Sequence, residues 1–315
     1  MNDQPTNIIN DDEIDLRELA QTILRHKGKL TLFVIIITLL SVVWSLSKPN
    51  IYHSQVVLVP QEKSKSLGAL GGLGALAGVA GVDIGDGEMQ PDQAFTLYAD
   101  DYSWMRKFLV ETKLFEKLNS ATADQNYRFA AGYDGFYRMF SFSSDARLDN
   151  ATPIEREKIL FETYQRLRAN LVIESDKKTS VITIGYSDPD PVLAKEVVEQ
   201  FLTYASRSLR EYELRDMDKK IAYYSDELHK SDDLSLKTQL SQLMSAVIQK
   251  KVLAQSSDLY NVKIVVQPSV AYERDKEGPK RGLIVVVSMV TSLIVGIFAI
   301  FMIEFIRTPN REENQ

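Results

Sequence analysis

An α+β protein is what the sequence predicts, with two transmembrane helices flanking an exported α/β base that carries a long helical hairpin. Three observations lead there. Two charge-free apolar runs stand near the two ends of the chain. Between them, short segments rich in β-branched residues are separated by stretches of helical period. And the stretch from Pro191 to His229 runs without a further proline or any glycine, much longer than an average helix.

The first apolar run, Leu30 to Leu46, reads LTLFVIIITLLSVVWSL and holds no charge. A helix crosses a bilayer with about 20 apolar residues. Ser47 extends this one, and Lys29 can snorkel to the interface, giving a span at 30–47. Leu283 to Ile303 is longer and also uncharged, giving a second span at 282–306. A cleaved signal peptide fits the first run less well. Twenty-nine mostly polar residues precede it, and it exceeds the roughly 7 to 15 residues of a signal core.

Orientation follows from the flanks. Arg25, Lys27 and Lys29 crowd the start of the first span, while Lys48 stands alone after it. Positive charge is retained inside, so segment 1–29 is expected in the cytoplasm, residues 48–281 outside, and the tail 307–315 inside again. Lys280 and Arg281 argue the other way, but charges in so long a loop carry little topogenic weight. The absence of cysteine fits an oxidising compartment and removes disulfides and thiolate chemistry. A net charge of -6 offers no basic footprint for nucleic acid.

Within the exported region, IYHSQVVLV (51–59) reads as a strand ending at Pro60. A Gly-rich run at 67–87 follows. Its Gly72-x-Gly74-x-x-Ala77 lacks the preceding strand that a dinucleotide loop needs, and its Gly74-x-x-x-Gly78 lies in an apolar run too short for a firm span. A flexible apolar loop, near the membrane or at a subunit contact, is the expectation. From Gln93, Phe95, Tyr98, Tyr102, Met105, Leu109 and Leu114 recur at mostly helical spacing, predicting one continuous helix. Residues 119–150 carry no assignable pattern. Pro153 opens a helix, and LVIES and SVITIGYS read as strands joined by DKKT.

The hairpin spans about 190–255. Val197, Phe201 and Tyr204 step by four and three, and Met217, Ile221, Tyr224 and Leu228 by four, three and four. Such a stripe is a coiled-coil seam between copies of the chain or a helix packed on its own core, and the spacing fits both equally. KSDDLS breaks the helix, LKTQLSQLMSAVIQKKVLAQ returns, and VKIVVQP is a last strand.

Catalytic chemistry has little support. His26, His53 and His229 are far apart in sequence, and neither HExxH nor GxSxG occurs. Asp188 and Asp190 in SDPDP read as caps and turns rather than an acid pair. No catalytic, cofactor-binding or metal-binding residue is predicted. In the spans, Ser41 and Ser45, and Ser288, Ser292 and Gly296, form small-residue stripes that would let helices pack together or against another protein, though chance explains them equally well.

Four ordered segments carry a family resemblance: EIDLRELAQTILRHKGKL, KPNIYHSQVVLVP, SDPDPVLAKEVVEQF and VVQPSVAYERDKEGPKRGLIV. With the two spans, they resemble the Wzz chain-length determinants, the polysaccharide co-polymerases of bacterial inner membranes. The resemblance implies a ring-like homo-oligomer, not an enzyme. It would act with a membrane glycan polymerase to set the modal length of a surface glycan, with the growing glycan a further candidate partner. It also implies a proline-rich segment before the second span. Pro268, Pro279, Lys280 and Arg281 match its ends, whereas Ala271 and Tyr272 stand where a further proline is common. The Gly-rich run resembles a variable insertion in the base. No tyrosine-kinase domain with a phosphate loop is expected on so short a tail. The alternatives are a partner subunit of an ABC glycan exporter and an activator of a separate capsule tyrosine kinase.

Overall fold

Residues 16–46, 48–61, 89–119, 152–272 and 274–307 are described by the computed structural model. In chain order its elements are α1 (Leu16–Arg25), α2 (Lys27–Leu46), β1 (Tyr52–Pro60), α3 (Pro91–Asp100), α4 (Tyr102–Glu111), α5 (Leu114–Asn119), α6 (Pro153–Asn170), β2 (Leu171–Asp176), β3 (Val181–Asp188), α7 (Pro191–Lys230), α8 (Leu234–Ser256), β4 (Val262–Val266) and α9 (Arg281–Arg307). They fall into two units, one up to Pro49 and from Gly278, the other between Asn50 and Glu277. The Gly-rich run 67–87 and the pattern-free stretch from residue 120 lie outside the described residues.

The first unit is helical. Its α2 and α9 are long and apolar enough to cross a membrane, and little of either is buried within the chain. A soluble core helix would bury most of its surface; these expose Leu39, Leu40, Leu283 and Phe298. The amphipathic α1, which the sequence reading did not single out, precedes α2 with only His26 between them.

In the second unit, four antiparallel strands form a sheet in the order β2-β3-β1-β4. Strand alternation decides its faces. Tyr52, Val56, Leu58, Ile182, Ile184 and Tyr186 are fully buried or nearly so. All of these but Tyr52 share one core with Phe95, Phe108, Val197, Phe201 and Ala205 from the helices. Trp104 stacks on Tyr98 at 4.8 Å and meets Phe201 edge-on at 5.8 Å, and its indole N–H donates to Ser208 Oγ at 3.1 Å. The indole polar edge is thus satisfied while the ring fills the core.

The single helix expected from Gln93 is broken into three. Asp101 stops α3 and caps α4, its carboxylate accepting from the backbone N–H of Ser103 at 3.0 Å and Trp104 at 3.2 Å. Lys113, at φ 59°, then separates α4 from α5. Local capping outcompeted a continuous period, since an aspartate side chain offers the backbone an alternative to the helical ladder. Elsewhere the punctuation is where the sequence puts it. Thr152 and Glu155 form a reciprocal capping box at α6. In the β2–β3 turn, Asp176 accepts from Lys178 N and Thr179 Oγ1.

Forty residues make α7 about 60 Å long at 1.5 Å per residue. Its first half lies on the sheet and its second half pairs with the 23-residue α8. The Arg210 guanidinium donates to the Ser257 carbonyl at 2.7 Å, and Ser206 Oγ accepts from Tyr260 N at 2.7 Å, fastening the hairpin's return end.

Candidate functional site

The candidate functional surfaces are the paired apolar helices and the α7–α8 hairpin. Each is built from residues that the sequence marks out.

Small side chains let α2 and α9 approach closely. The hydroxyls of Ser41 and Ser288 are 2.7 Å apart. Ser41 also donates to the Thr38 carbonyl at 2.8 Å, and Ser292 to the Met289 carbonyl at 2.9 Å, so these two hydroxyls are satisfied on their own helices. Ser45 and Ser292 are buried, at 1% and 4% exposure. At Gly296 a Cβ would come within 2.6 Å of Leu30 Cδ1 and 3.2 Å of Phe33 Cδ1, so a larger residue would push Leu30 aside. Backbones this close gain dispersion contacts that lipid tails cannot match.

Arg281, at the first position of α9, closes the C-terminal end of α2. Its Nε donates to the Ser45 carbonyl at 3.3 Å and its Nη2 to the Lys48 carbonyl at 3.1 Å. The Ser45 carbonyl is one of those a helix end leaves without an intrahelical partner, it also accepts from Lys48 N at 3.4 Å, and a cation there meets the negative pole of the helix dipole. Of the proline-rich segment's matches, Pro279 follows a cis Gly278–Pro279 bond and Lys280 is exposed. Pro268 is buried in the other unit. At the opposite end, Arg25 approaches Glu304 at 3.9 Å.

On α7 the seven-residue stripe divides. Val197 and Phe201 are wholly enclosed by the chain's own core, with Tyr204 packed against it, so this part serves the base rather than a second copy. Met217 is buried at 3%, and Ile221, Tyr224 and Leu228 are half-buried on the distal half. The exposed apolar residues of the hairpin are others: Tyr212, Tyr223, Leu234, Ile248, Val252 and Leu253. The heptad-like period does not separate a buried face from an associating one, because both use the same spacing.

The two aspartates of SDPDP act at the helix start. Asp190 caps α7 by accepting from Val192 N at 2.9 Å and Leu193 N at 3.3 Å. Asp188 accepts from Asp190 N at 2.9 Å and from the Tyr186 hydroxyl at 3.3 Å. Burial pushes the Asp188 carboxyl up to about 6, and the same burial raises the Tyr186 phenol.

Folding also gathers residues that sequence spacing kept apart. His53 Nδ1 sits 3.0 Å from Ser187 Oγ, which donates to Glu277 Oε2 at 2.7 Å. The residue types are those of a nucleophilic triad, but the order differs. The serine proton is directed at the carboxylate, and the imidazole is oriented by the serine rather than by an acid. The cluster instead fastens Glu277 to β1 and β3, together with the bond from Glu277 N to the Ile51 carbonyl at 2.9 Å. The His53 ring lies over Gly185, where a Cβ would fall 2.5 Å from it. Among the described residues, no group of three or more His, Cys, Asp or Glu could hold a metal ion.

Comparison with known proteins fits this arrangement. Residues 12–110 match the family described as Wzz, chain length determinant protein. A solved structure titled full-length bacterial polysaccharide co-polymerase aligns at 13% identity, covering 95% of this chain and all of its own, with a TM-score of 0.42. No curated protein matches the chain. The matched segment takes in α1, the apolar α2, β1 and the first helices of the base.

Proposed function

We propose that this protein is an inner-membrane polysaccharide co-polymerase that regulates the modal chain length of a surface glycan, O-antigen or a related polymer. Its role is organisational and not enzymatic. Copies associate into a ring-like oligomer and act with a membrane-embedded glycan polymerase. Both termini lie in the cytoplasm, α2 and α9 cross the membrane, and the base and hairpin occupy the periplasm.

The observation that carries this reading is the family match over 12–110, which includes one apolar helix and the start of the base. It is supported by a second apolar helix at the far end of the chain and an α+β unit between the two. The exposed apolar residues of the hairpin, Tyr223, Ile248 and Val252 among them, suit association between copies. The small-residue face shared by α2 and α9 keeps the two spans as one unit that a polymerase can meet.

Deletion of the gene, with and without plasmid rescue, tests it on a gel of the surface glycan. A modal band cluster that disperses on deletion and returns on rescue is the expected result. An unchanged length distribution with less total glycan would refute it and point to an exporter or kinase partner.

A further inference from the structure

The helix α1 enters the surfaces above only through Arg25 beside Glu304, yet its pattern is the most sharply two-sided among the described helices. LRELAQTILR places apolar residues at positions 16, 19, 20, 23 and 24, the i, i+3, i+4, i+7, i+8 spacing of a single face. On that face Leu24 is 64% exposed and Ile23 is half-buried. The helix ends at Arg25, and after His26 the apolar α2 begins. His26 N–H still reaches the Thr22 carbonyl at 3.2 Å and the His26 carbonyl accepts from Leu30 N at 3.0 Å, so the joint is short and hydrogen-bonded through. Gly28 beside it has open space where a side chain would be.

Charge sorts in the same direction. Between residues 16 and 29 stand Arg17, Arg25, Lys27 and Lys29 against Glu18 alone, while Asp11, Asp12, Glu13 and Asp15 all precede the helix. Arg25, Lys27 and Lys29 are exposed. Cations therefore crowd the end tied to the span, and the acids stand at the far end.

We propose that α1 lies in the headgroup layer of the cytoplasmic leaflet, its apolar face at the acyl boundary and Lys27 and Lys29 on anionic lipid phosphates. This rests on the reading of α2 as a span with its N-terminal end in the cytoplasm. Covalent connection through one residue holds α1 at that depth, an exposed apolar arc gains by entering the interface, and the cation excess complements anionic lipid. A water-soluble partner would have to cover the same arc within reach of the bilayer, whereas lipid is there already.

The cysteine-free chain permits a direct test on the full-length protein reconstituted in bilayers. Single substitutions Leu24→Cys and Thr22→Cys, about 160° apart around the helix, carry spin labels on opposite sides of α1, and Leu39→Cys reports on mid-α2. Accessibility to oxygen, which concentrates in lipid, is compared with that to a water-soluble nickel chelate. In phosphatidylcholine bilayers containing phosphatidylglycerol, the Leu24 label should show an oxygen-to-nickel ratio about threefold or more above the Thr22 label, as expected for one face buried at the interface. That contrast should fall in pure phosphatidylcholine and in a Lys27→Glu, Lys29→Glu background. Equal ratios at the two positions would overturn the proposal by leaving α1 in water. A contrast indifferent to phosphatidylglycerol and to charge reversal would overturn it by showing protein, not anionic lipid, covering the face. A nickel-accessible Leu39 label would instead sink the membrane-span reading itself.

Discussion

Replacing Asp188 with asparagine isolates one titrating group in the base. Its carboxyl is pushed up to about 6 chiefly by burial, against an ordinary aspartate value near 3.9. The raised value means the folded chain holds this proton over a pH range where the unfolded chain has lost it. Stability from this group is therefore fully present below about pH 4 and falls as pH rises through about 6. At 1.36 kcal/mol per unit, a shift of about two units is worth about 3 kcal/mol over that window. Asparagine keeps an acceptor for Asp190 N–H and can donate to the Tyr186 oxygen, so the cap survives without the charge. The assay is urea unfolding of the detergent-purified chain between pH 4 and 8, read by Trp104 fluorescence in a Trp44→Phe background that leaves one indole. The stability of the parent minus that of Asp188→Asn should decline by about 3 kcal/mol from pH 4 to 7. A flat difference would refute the argument, because some other group would then carry the titration.

Three further outcomes follow from the packing. Phe201→Ala should cost about 3 to 5 kcal/mol, since a fully buried ring in contact with Trp104 and Phe108 leaves a cavity; equilibrium unfolding measures it. Gly185→Ala should destabilise the sheet by about 1 to 3 kcal/mol through the His53 ring 2.5 Å from the new Cβ, and a second change, His53→Ala, should restore most of the loss in the same assay. Ser41→Cys with Ser288→Cys should form an intramolecular disulfide on mild oxidation, the parent hydroxyls being 2.7 Å apart; adding Gly296→Ile, which crowds Leu30, should lower its yield on non-reducing gels.

How legible the chain was differs from element to element. Both apolar helices, the four strands, α6 and both arms of the hairpin could be read from period and punctuation, because burial along a helix or strand repeats with the backbone geometry itself. The α3–α4–α5 break could not, although Asp101 stood in view: whether an aspartate caps or is carried through a helix depends on what the following helix packs against. The heptad-like stripe on α7 was legible as a stripe and illegible as an interface. Val197 and Phe201 turned out to face the sheet, while Tyr223 and Val252, which no seam included, are exposed. The strong two-sided period of α1 was also there to be found, hidden only by its position before a long apolar helix.

By itself, then, the sequence determined the two long apolar helices, the start of α7 at SDPDP and the strand set, all of which depend on local composition or on residues near each other in the chain. Tertiary structure alone decided which residues far apart in sequence meet: His53 with Ser187 and Glu277, Ser41 with Ser288, and Arg281 with the carbonyl end of α2. Those meetings are fixed by how strands register and helices approach, and no local pattern encodes a distance between residues that only folding brings together.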